Sequence, residues 1–189
     1  DLHSFPTRRS SDLVVVTPHH LTMTDDCVDL TDSATKVNPP LRRQADVDAM
    51  VAGLKDGTID AIVTDHSPHA EEEKDVEYCL APSGFPGLET ALGVLLTELY
   101  HTGKLELTTL ISKMTAEPAK LFALPGGTLS VGCPADIAVL DLEQEWTVEA
   151  ENFYTRGTHS PFAGRHLKGR AVMTMVSGQV VMRDGKIVE

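Results

Sequence analysis

Asp65, His66 and His69 lie within five residues of one another, in the run Thr64-Asp65-His66-Ser67-Pro68-His69. The run follows a β-branched stretch, residues 59–64 (IDAIVT), which predicts a buried strand. In a parallel α/β barrel, the carboxyl end of such a strand faces the active-site loops. An aspartate placed there can bind zinc through oxygen and exchange a proton with a metal-bound water. Asp and His also populate ordinary turns, and the hexapeptide taken alone allows both readings.

A second cluster, Lys36-Val37-Asn38-Pro39-Pro40-Leu41-Arg42, joins a double proline to an amide and a guanidinium. The prolines preset an extended backbone from which Asn38 and Arg42 can orient a carboxylate or a ring amide. The plainer alternative is a rigid loop leading into a helix, and the spacing by itself favours it. His19 and His20 follow Pro18, but adjacent residues of an extended chain point to opposite sides. They are expected to be loop hydrogen-bonding groups rather than a ligand pair. Cys133, between Gly132 and Pro134, shows no metal-ligand or catalytic pairing in sequence and is expected to be a buried packing residue.

The elements that must hold these groups alternate. Residues 13–17 (LVVVT) predict a parallel strand closed by Pro18. Val47, Met50, Val51 and Leu54 recur at helical spacing over residues 44–54, with Asp46 and Asp48 in the first turn where the helix dipole favours them. The strand at 59–64 follows, then a long loop at 70–85, a helix at 88–100, and two short helices at 107–114 and 117–122. Past residue 126 the pattern changes to short strands at 137–140, 171–176, 180–182 and 187–188. Ser177-Gly178 and Asp184-Gly185 are the turn signals between them. A domain boundary is therefore placed near residue 126.

With 189 residues, a net charge of −12 and 41% apolar residues, the chain is long enough for a substantial core and too acidic to concentrate a phosphate-binding surface. No apolar run approaches the roughly 20 residues of a membrane span. The three cysteines, Cys27, Cys79 and Cys133, give neither a disulfide framework nor a CxxC zinc motif, which fits a reducing cytoplasm. Residues 1–13 (DLHSFPTRRSSDL) have no apolar periodicity and no initiator Met, and read as a non-native or disordered leader.

Taken in order, Pro18-His19-His20-Leu21, the 36–42 cluster, Gly57-Thr58-Ile59-Asp60, the 64–69 run, Glu73-Lys74, Ala81-Pro82, Gly87-Leu88-Glu89-Thr90, Pro118-Ala119 and the stretch 132–136 closely resemble the C-terminal half of bacterial-type dihydroorotases. Ser160-Pro161-Phe162-Ala163-Gly164 is similar to a turn that the family carries near its end. The resemblance covers residues 14–189. It implies an α/β fold: residues 14–125 as the C-terminal part of a metal-dependent-hydrolase TIM-type barrel, and 126–189 as part of a small β-sandwich domain. It also implies the family's reaction, the reversible cyclisation of N-carbamoyl-L-aspartate to L-dihydroorotate in pyrimidine biosynthesis, at a site with two zinc ions.

By motif matching, Asp65 is similar to the family's aspartate that binds one zinc and shuttles the proton, acting as base and then as acid. Asn38, His69 and the backbone around Ser83 and Gly84 match positions that hold the substrate. The resemblance further implies that the family's remaining metal ligands and its carboxylate-binding arginine lie upstream, so the chain is expected to be an inactive fragment of poor solubility. The expected partners are the small substrate and either a second copy or aspartate carbamoyltransferase, with no nucleic acid and no membrane. The rival readings are another cyclic amidohydrolase (allantoinase or dihydropyrimidinase), a non-catalytic dihydroorotase-like scaffold for aspartate carbamoyltransferase, and a free-standing β-rich binding module.

Overall fold

The computed structural model describes residues 13–188; the expected leader, apart from Leu13, lies outside them. Two short strands, β1 (Val15–Val16) and β2 (Ala61–Ile62), pair in parallel with Val15 opposite Ala61 and Val16 opposite Ile62. The ladder extends past both ends, through Asp60 N–H to the Val14 carbonyl at 2.8 Å and Val63 N–H to the Val16 carbonyl at 2.9 Å. Asp60 Oδ2 also accepts from the Val14 N–H at 2.9 Å.

Between the strands run α1 (Pro18–Thr22) and α2 (Gln44–Asp56). α1 starts where Pro18 occupies the first turn and the Thr17 side chain accepts from the His20 N–H. In α2, Asp46 reaches back to the Arg43 N–H, and Gly57 ends the helix at φ 83°. α2 turns Val47, Val51 and Leu54 inward as expected, but Met50 is 39% exposed, at the edge of the stripe.

The expected loop at 70–85 contains a helical turn, α3 (Glu71–Lys74), whose Glu73 carboxylate accepts from the Ala70 N–H. The helix expected at 88–100 begins as α4 (Ala91–Leu95) and continues as a π turn at Leu96–Tyr100, where the His101 N–H reaches the Leu96 carbonyl. α5 (Leu107–Met114) and α6 (Ala116–Leu121) follow. Leu110 of α5 is fully buried, and Lys113 ties that helix to the Ile59 carbonyl at 2.6 Å.

Four antiparallel strands complete the chain in the order β3 (Ile137–Thr147), β4 (His166–Val176), β5 (Gln179–Arg183), β6 (Lys186–Ile187). Two of them are longer than the sequence pattern predicts. A bulge between Asp141 and Glu145 carries β3 through the polar run LEQE, and a polar, glycine-containing segment forms the first half of β4. Both turn signals form as expected: Ser177-Gly178 (φ 49°, 83°) and Asp184-Gly185 (φ 50°, 75°) make two-residue hairpins with left-handed backbone.

Two apolar clusters hold these layers together. The first packs Val16 and Ile62 against Leu21, Leu54, Leu95, Leu99 and Leu110. The second crosses residue 126, joining Met23, Val37, Leu41, Phe85 and Val94 to Val148, Phe162 and Leu167. Gly93 of α4 makes the close approach possible, since a Cβ there would sit 2.7 Å from the Trp146 ring. Thr97 Oγ1 accepts from the Lys168 N–H at 2.8 Å and pins β4 to the π turn.

Candidate active site

Asp65 stands three residues beyond β2 with φ 51°, a left-handed conformation that Asp tolerates better than most residues. It lines an open cleft of ≈ 640 Å³ together with Asn38, Pro39, His20 and Arg42. Val15, Val63 and Met50 form the apolar part of the same wall. Asn38 is exposed and precedes a cis peptide bond to Pro39.

His20 fixes that corner. Its Nε2 lies 2.9 Å from the Pro39 carbonyl, so this nitrogen carries the proton, and Nδ1 accepts from Thr17 Oγ1 at 2.7 Å. His19 is different: it belongs to α1, is 2% exposed, and packs edge-on against Phe85 with centroids 5.0 Å apart. It is therefore no loop hydrogen-bonding group. Its Nε2 has no partner among the described residues, and burial, followed by the charge of His20, lowers its pKa from 6.5 to about 3.

The rest of the 64–69 run is stitched to the chain at 84–88. His66 Nδ1 accepts from the Gly87 and Leu88 N–H groups at 3.1 and 3.3 Å, which leaves the proton of the neutral ring on Nε2. The Ser67 N–H donates to the Phe85 carbonyl at 3.0 Å. Two glycines permit this contact. A Cβ on Gly87 would lie 2.9 Å from the Thr64 carbonyl oxygen, and one on Gly84 (φ 116°) would lie 2.6 Å from Ser67 Cβ.

His69 and Ser83 meet each other. His69 Nε2 donates to the Ser83 carbonyl at 3.1 Å, with Nδ1 3.6 Å from Glu73. His69 lines a second open cavity of ≈ 600 Å³ with Glu71, Glu72 and Arg156. Gly84 is buried between the two groups, donating to the Lys36 carbonyl and accepting from Lys74 Nζ. The predicted site residues thus fall into a cleft pair, Asp65 and Asn38, and a loop trio, His69, Ser83 and Gly84, bridged by the backbone at 36–38.

Sequence reasoning missed two contributors. His20 is a hydrogen-bonding group, as the sequence predicts, yet it also lines the cleft. Lys74 lies in an acidic run that reads as a solvated loop, but its side chain is 2% exposed; nothing in EEEK signals this. Cys133 corrects another expectation: it is exposed, as are Cys27 and Cys79, because residues 127–135 run along the surface with Leu129 and Val131 uncovered.

Among the described residues, no three His, Cys, Asp or Glu side chains come together as a metal-holding group. The cleft lining offers two carboxylate residues, Asp65 and Asp46, and the imidazole of His20; both nitrogens of that imidazole are engaged, and Asp46 Oδ2 is turned to the Arg43 N–H and the Arg42 guanidinium. These residues do not by themselves make zinc's donor set. What the cleft does offer is Asp65 and Asn38, a carboxylate residue and an amide residue, on one lining.

The sequence pattern of the Amidohydrolase family matches residues 3–181. A dihydroorotase of Pelotomaculum thermopropionicum is 52% identical over 169 residues, which is 89% of this chain and 40% of that one. A dihydroorotase of Brevibacillus brevis is 48% identical over 170 residues, again 89% and 40%. The chain thus spans about two-fifths of the length of the curated relatives it matches. Among solved structures, L-hydantoinase (dihydropyrimidinase) from Arthrobacter aurescens superposes with a TM-score of 0.88 at 35% identity, covering 94% of this chain and 40% of that one. Dihydropyrimidinase from Brevibacillus agri gives 0.85 at 25% identity, covering 93% and 40%. The α/β architecture is therefore that of part of the amidohydrolase barrel, as the sequence predicts.

Proposed function

Because the chain belongs to the Amidohydrolase family, we propose that it carries part of a dihydroorotase, whose whole protein interconverts N-carbamoyl-L-aspartate and L-dihydroorotate in pyrimidine biosynthesis. The observation that carries this reading is Asp65, a carboxylate in a cleft at the carboxyl end of a parallel strand, within a stretch about half identical to dihydroorotases. Identities of 48–52% to dihydroorotases, against 35% to a hydantoinase, favour this substrate over the hydantoinase reading.

In this proposal Asp65 accepts the proton of the water whose oxygen bonds to the ring carbonyl carbon, and returns it to the ring nitrogen as the C–N bond breaks. Asn38 orients the ring, and the loop at 83–84 with His69 holds the substrate's polar groups. In the whole protein Asp65 would supply one oxygen ligand to a bound zinc, which would supply Lewis acidity and a water of lowered pKa. The chain on its own is expected to be inactive, because the described residues gather no group of three ligands and so do not retain zinc. Residues 14–125 belong to the barrel and 126–189 to a small β domain. The whole protein works in the cytoplasm, as a homodimer or with aspartate carbamoyltransferase. No helix among the described residues is long and apolar enough to cross a membrane.

The test is a full-length hybrid in which residues 14–189 replace the matching stretch of the Pelotomaculum thermopropionicum dihydroorotase. The hybrid should hydrolyse dihydroorotate and leave hydantoin and dihydrouracil untouched. A folded hybrid that prefers either of the latter, or hydrolyses none of them, overturns the reading.

A further inference from the structure

Lys74 is buried almost completely, at 2% exposure, and it is charged. Enclosing an ammonium costs several kcal/mol unless hydrogen bonds replace its water. No carboxylate pairs with it within ion-pair distance among the described residues. Its Nζ instead donates to two backbone carbonyls, Pro82 and Gly84, each at 3.0 Å. An apolar side chain of the same length would fill this pocket at less cost, so the ammonium is explained by what it imposes on the backbone rather than by stability.

That imposition follows from peptide geometry. In a trans peptide the carbonyl and the following N–H point in opposite directions. Turning the Pro82 carbonyl toward Lys74 turns the Ser83 N–H away from it. The next peptide is locked the other way round, its Ser83 carbonyl on His69 Nε2 at 3.1 Å and its Gly84 N–H on the Lys36 carbonyl at 2.8 Å. The third, carrying the Gly84 carbonyl, returns to Lys74. Lys36 Nζ fixes the start of the same loop through the Tyr78 and Cys79 carbonyls at 2.7 and 3.0 Å. Three consecutive peptide planes are thus set, and Ser83, exposed, keeps an N–H that bonds to no described residue. A cation on the carbonyl side of that peptide also strengthens its N–H as a donor.

We propose that Lys74 is a positioning residue for substrate: buried under the 82–84 loop, it orients the Ser83 N–H toward an acceptor oxygen of the bound molecule, a carboxylate or a ring carbonyl. This rests on the reading of 83–84 as a substrate-holding loop. Lys74 touches no reacting atom, so its loss weakens binding and spares the chemical step.

The experiment compares the hybrid enzyme with its Lys74→Gln and Lys74→Met variants. Gln keeps one neutral donor and Met keeps the length with none. Losing the orientation of one hydrogen bond raises KM by about tenfold in Lys74→Met and about threefold in Lys74→Gln, with kcat within about threefold of the parent. A folded Lys74→Met variant with KM within about twofold of the parent overturns the proposal, as does a loss confined to kcat or to melting temperature. If Lys74→Met does not fold, Lys74→Gln is judged against the parent on the same criteria. A parent hybrid without activity rejects the functional reading instead, and the loop is then judged by hydrogen exchange. Faster exchange confined to residues 77–85 in the Lys74→Met variant supports the frame, and unchanged exchange there rejects it.

Discussion

The imidazole of His20 and the carbonyl of Pro39 are joined across 19 residues at 2.9 Å, so the first turn after β1 holds the corner that presents Asn38 to the cleft. In the hybrid enzyme, His20→Phe keeps a flat ring but loses both the Pro39 and the Thr17 bonds. We expect kcat/KM to fall by at least about tenfold with melting temperature changed by only a few degrees, the loss of about 1–2 kcal/mol that an orienting hydrogen bond carries. Unchanged kcat/KM by steady-state assay would show that Asn38 is held by other means.

Asp65→Asn in the same enzyme keeps the shape of the side chain and removes the proposed base. Turnover should drop by about 10²–10⁴, the range for loss of a proton-transfer group. Retention of more than about a tenth of parental kcat would remove Asp65 from the proposed role.

His19 sets a pH dependence of stability. Burial lowers its pKa to about 3, below the value near 6.5 that it recovers on unfolding. The unfolded chain therefore takes up a proton in this window that the folded chain refuses. The stabilisation is fully present above pH 6.5 and is lost as pH falls from there toward 3, at up to about 1.4 kcal/mol per pH unit. Urea midpoints of the hybrid at pH 7.5 and pH 5 should differ by more than those of its His19→Leu variant. Equal differences would mean that the ring is not held neutral.

Gly93→Ala tests the seam between α4 and the sheet. The added methyl would sit 2.7 Å from Trp146 Cζ2 and 3.1 Å from Leu167 Cδ1. The expected cost is about 1–3 kcal/mol from overpacking, despite alanine's better helix propensity. A melting temperature equal to or above the parent's would show that the seam gives way.

The isolated chain should self-associate. β1 and β2 pair with each other and with no further strand among the described residues, and Val15 (45%) and Val63 (37%) are exposed beside that pair. Open parallel edges with apolar neighbours recruit other chains. Light scattering after size exclusion should find oligomers or aggregate, and a monodisperse monomer with a sharp melt would contradict this.

Much of this was legible in local pattern. The spacing of Val47, Val51 and Leu54 located α2, and Ser177-Gly178 and Asp184-Gly185 marked their hairpins, because those signals are written in neighbouring residues. Asp65 was visible for the same reason, as a carboxylate at the end of a β-branched run. The illegible parts depend on partners distant in sequence. Lys74 is buried because Pro82 and Gly84 fold over it, and His19 because Phe85 does. The polar middle of β3 is strand only because β4 stands beside it to accept the bulge. The loop trio separated from Asp65 and Asn38 because motif order says nothing about which wall each residue faces.

The two left-handed hairpin turns of the antiparallel sheet carry a consequence in time. Joining β4 to β5, and β5 to β6, closes loops of two residues each, and such hairpins form in about 1–10 μs. Pairing β1 with β2 must bring together residues 46 apart, Val15 and Ala61, before any contact rewards the closure. The hairpins at the end of the chain are therefore the faster closures, and the β1–β2 pairing, three residues before Asp65, is the slower one on which the cleft depends.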